Sequence, residues 1–360
     1  VVKMYEKNLY IDGVKLALSN KPYFIADVGA NHDGSLERAF KLIELAKESG
    51  ANAVKFQNFI ADKIVSKYGF ENLNANSTHQ SGWKKSVYET YVDASISMDW
   101  TASIVEKCKE VDITYFTSAY DFESVDHVEE YLDAYKIGSG DITWIEILEY
   151  IAKKNKTVLL ATGAASNDDV TRAIDAILDH NPKLCLMQCN TNYSTDPDKS
   201  RFANLNVIST FAKKYPGMVL GLSDHSMNPA TVIASIALGA RVFEKHFTDD
   251  QSREGPDHKF AINPQEWSDM VFLANEAFHS LGDGVKKIEE NEIEPRIVQQ
   301  RCLRAKIKIK QGQIINKDLL ESLRPCPDNA LRPWNESIAL GREAKYDIEA
   351  GDAIYNDSFK

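Results

Sequence analysis

The chain is predicted to be an α/β protein: a (β/α)8 TIM barrel followed by a small β-rich domain. Three observations carry this. Between residues 22 and 285, short apolar, β-branched runs alternate with longer amphipathic segments, the pattern of repeated βα units. Eight such runs occur in about 250 residues, the usual size of this barrel. After about residue 300 the pattern changes to short runs between Gly-containing turns, Gln311-Gly312 and Ala350-Gly351, as in a compact β module.

The elements follow in order. Residues 8–19, NLYIDGVKLALS, suit a hairpin around Asp12-Gly13 that would cap the closed end of the barrel. The eight runs are 23–28, 52–57, 112–117, 134–138, 157–162, 183–188, 218–223 and 241–246. Between them, 35–49 opens with a Ser cap, and 167–180 starts Asn-Asp-Asp before apolar positions at helical spacing. Trp267, Met270, Val271, Ala274, Phe278 and Leu281 share one helical face. An open doubly wound sheet is the structural competitor. The expected domains are a hairpin cap at 1–21, the barrel at 22–285, a charged linker at 286–300 and the β-rich module at 301–360.

A net charge of −11 argues against nucleic acid as the main partner, because phosphate contacts need a basic stripe. An anionic substrate would then need a local positive pocket. Five cysteines at 108, 185, 189, 302 and 326 form no C-x-x-C pair, which favours reduced thiols inside a cell. The N-terminal residues are charged throughout, unlike a signal peptide, and no run approaches the roughly 18 apolar residues of a membrane span. No membrane association and a cytoplasmic location are expected.

Apolar side chains suffice to fill a barrel core, so polar residues at strand ends are informative. Asp27 ends the first run; Lys55 and Gln57 sit in the second. Lys136, Ser139 and Asp141 stand in or after the fourth, Ser223 and His225 close the seventh, and Glu244 and His246 close the eighth. His225 and His246 are candidate ligands of one divalent metal, against a reading as two hydrogen-bonded structural histidines. Lys55 and Lys136 occupy positions where a core would hold Val or Ile. A bound phosphate or carboxylate explains both, and internal salt bridges to Asp27 or Glu244 are the alternative. Asp27, Asp141 and Asp257 are candidate acid/base or sugar-binding carboxylates, or else caps and turn formers. Cys189 is expected to be a small buried hydrophobe.

The runs ADVGANHDGS, AVKFQ, YKIGSGD, GLSDHS, EKHFT and GPDH, in this order and spacing, resemble the sialic acid synthase family. The C-terminal segment resembles its antifreeze-like (SAF) domain. The resemblance implies condensation of phosphoenolpyruvate with an amino sugar to a nine-carbon 3-deoxy-2-keto acid. It implies that His225 and His246 hold a Mn2+-type ion, which sequence does not separate from Mg2+ or Co2+. It further implies that Lys55 and Lys136 hold phosphoenolpyruvate with help from Ser139, that Asp141 and Asp27 are catalytic, and that Asn192 and Tyr193 fall in a substrate-contacting segment. In relatives the arginine matching Arg324 reaches the partner subunit's barrel, so a domain-swapped homodimer is implied.

The chain departs from the family at several points. Asp27 and Asp141 stand where Glu is usual, Ala161 replaces a serine beside Thr162, and Cys326 replaces the glycine after Arg324-Pro325. The intact GPDH and HFT runs look more like the sialic and legionaminic branches than the pseudaminic one. A synthase acting on a phosphorylated aldose and a silent sugar-binding barrel are the alternatives.

Overall fold

The computed structural model describes residues 3–73, 80, 83–193 and 197–360. The chain divides into two compact units, Val1–Leu281 and Gly282–Lys360.

In the first unit a hairpin of β1 (Leu9–Ile11) and β2 (Val14–Leu16) precedes the barrel. Its turn places Asp12 at φ 48° and Gly13 at φ 75°, the left-handed pair that Asp-Gly supplies cheaply. Leu9, Ile11 and Leu16 are fully buried. Thr157 donates to Tyr10 O at 2.8 Å and Thr114 to Asp12 at 3.2 Å. Both threonines begin barrel strands, so the hairpin covers the N-terminal end of the barrel.

Eight parallel strands then close in the order β10-β3-β4-β5-β6-β7-β8-β9, which rules out the open sheet. They are β3 (Tyr23–Asp27), β4 (Ala53–Asn58), β5 (Thr114–Ala119), β6 (Ala134–Ile137), β7 (Thr157–Ala161), β8 (Leu184–Cys189), β9 (Val219–Asp224) and β10 (Ala240–His246). Each lies within two residues of its predicted run. The first helix, Leu36–Glu48, is capped by Ser35 as expected, whereas Asn167–Leu178 is capped by Ser166, one residue earlier than the Asn-Asp-Asp run suggests. Helix Pro264–Ser280 buries Trp267, Met270 and Ala274. Leu281 caps that helix and is largely exposed, because it lies beyond the turn that still faces the barrel.

A long excursion between β4 and the helix Thr101–Glu110 carries, among its described residues, the short α-helices Ala61–Ile64, Lys67–Glu71 and Val87–Ala94. It brings Trp83 and Tyr91 to the barrel mouth, which the sequence pattern did not indicate.

The second unit opens with a helix, Ile293–Gln299, then pairs β11 (Cys302–Ala305) antiparallel with β12 (Leu320–Leu323). Single antiparallel bridges such as Ile309 to Ile348 and Ala344 to Phe359 complete a β-rich module. Its own core includes Leu303, Ile309, Ile315, Leu331, Ile348 and Ile354. Among the described residues, no helix is long and apolar enough to cross a membrane.

Candidate active site

Parallel register and the two-residue period of side chains set the site. Asp27 lies opposite both Lys55 and His246, and Glu244 lies opposite Ser223. The last inward positions of adjacent strands therefore collect at the C-terminal mouth, where barrel enzymes build their sites.

The deepest layer is a network of buried charges. Lys55 Nζ lies 2.8 Å from Asp27 Oδ2 and 3.8 Å from Glu244 Oε1, and Lys136 Nζ lies 2.9 Å from the same Glu244 oxygen. Lys55 also donates to Ser118 at 3.4 Å, and Ser223 donates to Glu244 at 3.4 Å. The internal salt bridges raised as an alternative for the lysines are thus formed. They balance two cations against two carboxylates, which makes burial of all four groups tolerable. One acceptor is left over: Glu244 Oε2 is buried with no partner.

Asp27 accepts from Gly29 N at 3.0 Å and from Gln57 Nε2 at 3.2 Å. Burial alone would raise its proton affinity, but Lys55, His246 and Lys136 outweigh burial and hold the carboxyl below its ordinary range. Lys136 is likewise pulled up, against its own burial, by Glu244 and Asp27. Asp141 behaves oppositely. Burial pushes it up to about 6, with Lys136 pulling weakly the other way. Two carboxyls of one site are therefore set apart, one ionised and one able to exchange a proton near neutrality.

Above this layer stand the imidazoles. The rings of His225 and His246 lie 5.6 Å apart, and Tyr193 packs on His225 at 4.2 Å and on Phe260 at 4.7 Å. His225 Nδ1 donates to Asn190 O at 2.8 Å, which leaves Nε2 with its lone pair, the tautomer metal ligation needs. His246 Nδ1 is buried with no partner. An orphaned imidazole nitrogen beside a second imidazole in the ligating tautomer is chemically compatible with a divalent ion. Among the described residues no three His, Cys, Asp or Glu side chains form a metal-ligand group.

Asp257 accepts from Ala30 N at 2.9 Å and lies 4.0 Å from His246. Gly29 sits between them at φ 50°, and a Cβ there would come within 2.6 Å of Asp257 Oδ2. His258 of the GPDH run is fully buried between Thr248 (2.7 Å) and Asp33 (2.9 Å), which ties the two mouth loops together. Ser139 accepts from Gly163 N at 2.9 Å.

Thr162 is committed to the barrel wall, donating to Met187 O at 3.0 Å, so it does not stand in for the hydroxyl missing at Ala161. Asn192 is exposed, and its backbone N–H donates to Asn190 Oδ1 at 3.0 Å. Arg324 is exposed in the second unit, on the segment after β12. Cys189 is buried as expected, and its Sγ in addition lies 3.9 Å from His225 Nδ1. Burial would raise the thiol, but His225, Ser139 and Lys136 together bring it below its ordinary value, so it belongs to the polar site. Gln57, Ser118 and Asn190 were not assigned roles; their only sequence signal is position at or just past a strand end.

Two cavities open over the cluster. The larger, about 760 Å3, is lined by Trp83, Tyr193, Phe260, Lys84, Lys259 and neighbours. The smaller, about 210 Å3, reaches down to Gln57, Tyr120, His246 and Asp257. An aromatic vestibule over buried cations suits a small polar molecule joined to an anion.

A family model described as NeuB family matches residues 42–286. A pseudaminic acid synthase of Campylobacter jejuni is 33% identical over 94% of this chain and 97% of its own length. An N,N'-diacetyllegionaminic acid synthase of the same species is also 33% identical, over 93% of this chain and 99% of its own. The crystal structure of N-acetylneuraminic acid (sialic acid) synthetase from Leptospira borgpetersenii in complex with citrate superposes with a TM-score of 0.70 at 26% identity, covering 82% of this chain and 96% of that one.

Proposed function

The chain belongs to the NeuB family, and on that premise we propose that it is a nonulosonic acid synthase, a transferase that condenses phosphoenolpyruvate with an unphosphorylated acetamido hexose and releases phosphate. The observation that carries the reading is the pair of buried lysines, Lys55 and Lys136, beneath two neighbouring imidazoles and an aromatic cavity.

Lys55 and Lys136 bind the phosphoenolpyruvate anion, for which Lys136 must loosen from Glu244. Ser139, on the same loop as Asp141, steadies the phosphate. A divalent ion held by His225 and His246, Mn2+ before Mg2+ or Co2+, would supply the Lewis acidity that polarises the open-chain sugar carbonyl. Carbon 3 of phosphoenolpyruvate attacks that carbon. Asp27, kept ionised, stabilises the positive character left at carbon 2. Asp141 takes the proton of the water that adds there and returns it as phosphate leaves by C–O cleavage. Tyr193 and Asp257 orient the sugar, and Arg324 of a second copy completes the site in a domain-swapped homodimer. The five free cysteines accord with a cytoplasmic home.

Equal identity to pseudaminic and legionaminic synthases leaves the acetamido hexose class as the reading rather than one sugar. A phosphate-release assay with Mn2+, phosphoenolpyruvate and a panel of N-acetylmannosamine, diacetamido hexoses and phosphorylated aldoses tests it. Release that requires an unphosphorylated acetamido sugar supports the proposal. Release only with a phosphorylated aldose would move the chain to another synthase class, and silence across the panel would refute the enzyme reading.

A further inference from the structure

Tyr120 directly follows β5, where its N–H donates to Asn58 O at 3.1 Å and its ring meets Phe59 edge-on at 6.0 Å. Its hydroxyl lies over Gly138: a Cβ there would stand 3.3 Å from Tyr120 Oη. The phenol thus rests on the base of the loop that carries Ser139 and Asp141, and it lines the smaller cavity beside Gln57, His246 and Asp257. Tyr120 is half-buried, and its hydroxyl makes no hydrogen bond to another described residue. Burial, then the charges of Asp141 and Asp27, push its proton affinity well up, so it remains a donor over the whole working range. The two carboxyls beside it present acceptor oxygens, and Gln57 already gives its amide to Asp27. An acceptor oxygen entering this cavity therefore finds the uncommitted hydroxyl of Tyr120 on its lining.

We propose that Tyr120 is a substrate-contacting residue whose phenol donates a hydrogen bond to an oxygen of the acceptor sugar seated in the cavity between Asp27, Asp141 and His246. The assignment rests on the synthase reading above. A donor used only by the sugar acts on that substrate and not on phosphoenolpyruvate.

Tyr120→Phe removes the hydroxyl and keeps the ring contact with Phe59. With phosphoenolpyruvate and the accepted sugar, kcat/KM for the sugar should fall about tenfold to a hundredfold while KM for phosphoenolpyruvate stays within about twofold. The thermal midpoint should hold or rise, because the variant loses a hydroxyl that has no protein partner; a structural hydroxyl would lower it. Sugar kcat/KM within twofold of the parent, or an equal loss on both substrates, overturns the assignment. The parent is assayed alongside. If the parent itself releases no phosphate, the synthase reading fails, and calorimetry with the same sugars decides Tyr120: equal affinity for parent and variant, or no binding to either, overturns it.

Discussion

Glu244 is the hinge of the buried charge network, and Glu244→Gln isolates its charge. The side chain is 4% exposed and holds Lys136 at 2.9 Å with Lys55 at 3.8 Å. Gln keeps an oxygen for Lys136 but leaves two buried cations against Asp27 alone. Breaking a buried pair costs about 3–5 kcal/mol, and the retained hydrogen bond puts this variant near about 3. With about 2.1 cal/mol/K of unfolding entropy per residue, the unit Val1–Leu281 should melt about 5 °C lower. The same change should improve the site as an anion trap. Two unit charges about 6 Å apart at an effective dielectric of about 20 repel by about 3 kcal/mol, so phosphate should bind the variant at least about tenfold more tightly. Thermal melts with and without inorganic phosphate, and calorimetric titration of phosphate, read both effects. A midpoint within 1 °C of the parent together with unchanged phosphate affinity would refute the view that Glu244 holds the lysines in place of substrate.

Three further outcomes follow from the same geometry. Asp141, pushed up to about 6 by burial, favours the fold only while protonated. The parent should lose stability as pH rises from about 4 through about 6, and Asp141→Asn should flatten that slope in urea titrations. Activity that needs the ionised form should show an acid limb near pH 6, absent from the residual rate of the variant. Gly163→Ala would set a Cβ 2.5 Å from Thr191 Cγ2 and 2.9 Å from Ser139 Oγ; the Thr191 and Ser139 side chains must shift, so kcat should drop at least about tenfold with the circular dichroism spectrum unchanged. His225→Ala and His246→Ala should each abolish calorimetric binding of Mn2+, and a variant that retains parental affinity would remove that histidine from the metal site.

How much was legible before the coordinates depends on range. Strand and helix identity follows from local periodicity, which is why the eight runs lie within two residues of the strands and Asp12-Gly13 makes the hairpin turn. Lys55 and Lys136 stood out because a cation in an apolar run has no local reason to be there. Thr162 shows the complementary limit: residues at a strand end look alike in sequence, and only the side chain's direction reveals a hydrogen bond to the barrel wall.

By itself, then, the sequence determined the barrel, the β-rich module and the set of polar strand ends, since each is written in neighbouring residues. The tertiary structure alone decided which charges neutralise one another, that Asp27 and Asp141 titrate in opposite directions, that Cys189 faces His225, and that Tyr120 looks into the cavity. Those properties depend on distance and burial between residues tens of positions apart in the chain, and closure of the barrel is what brings them together.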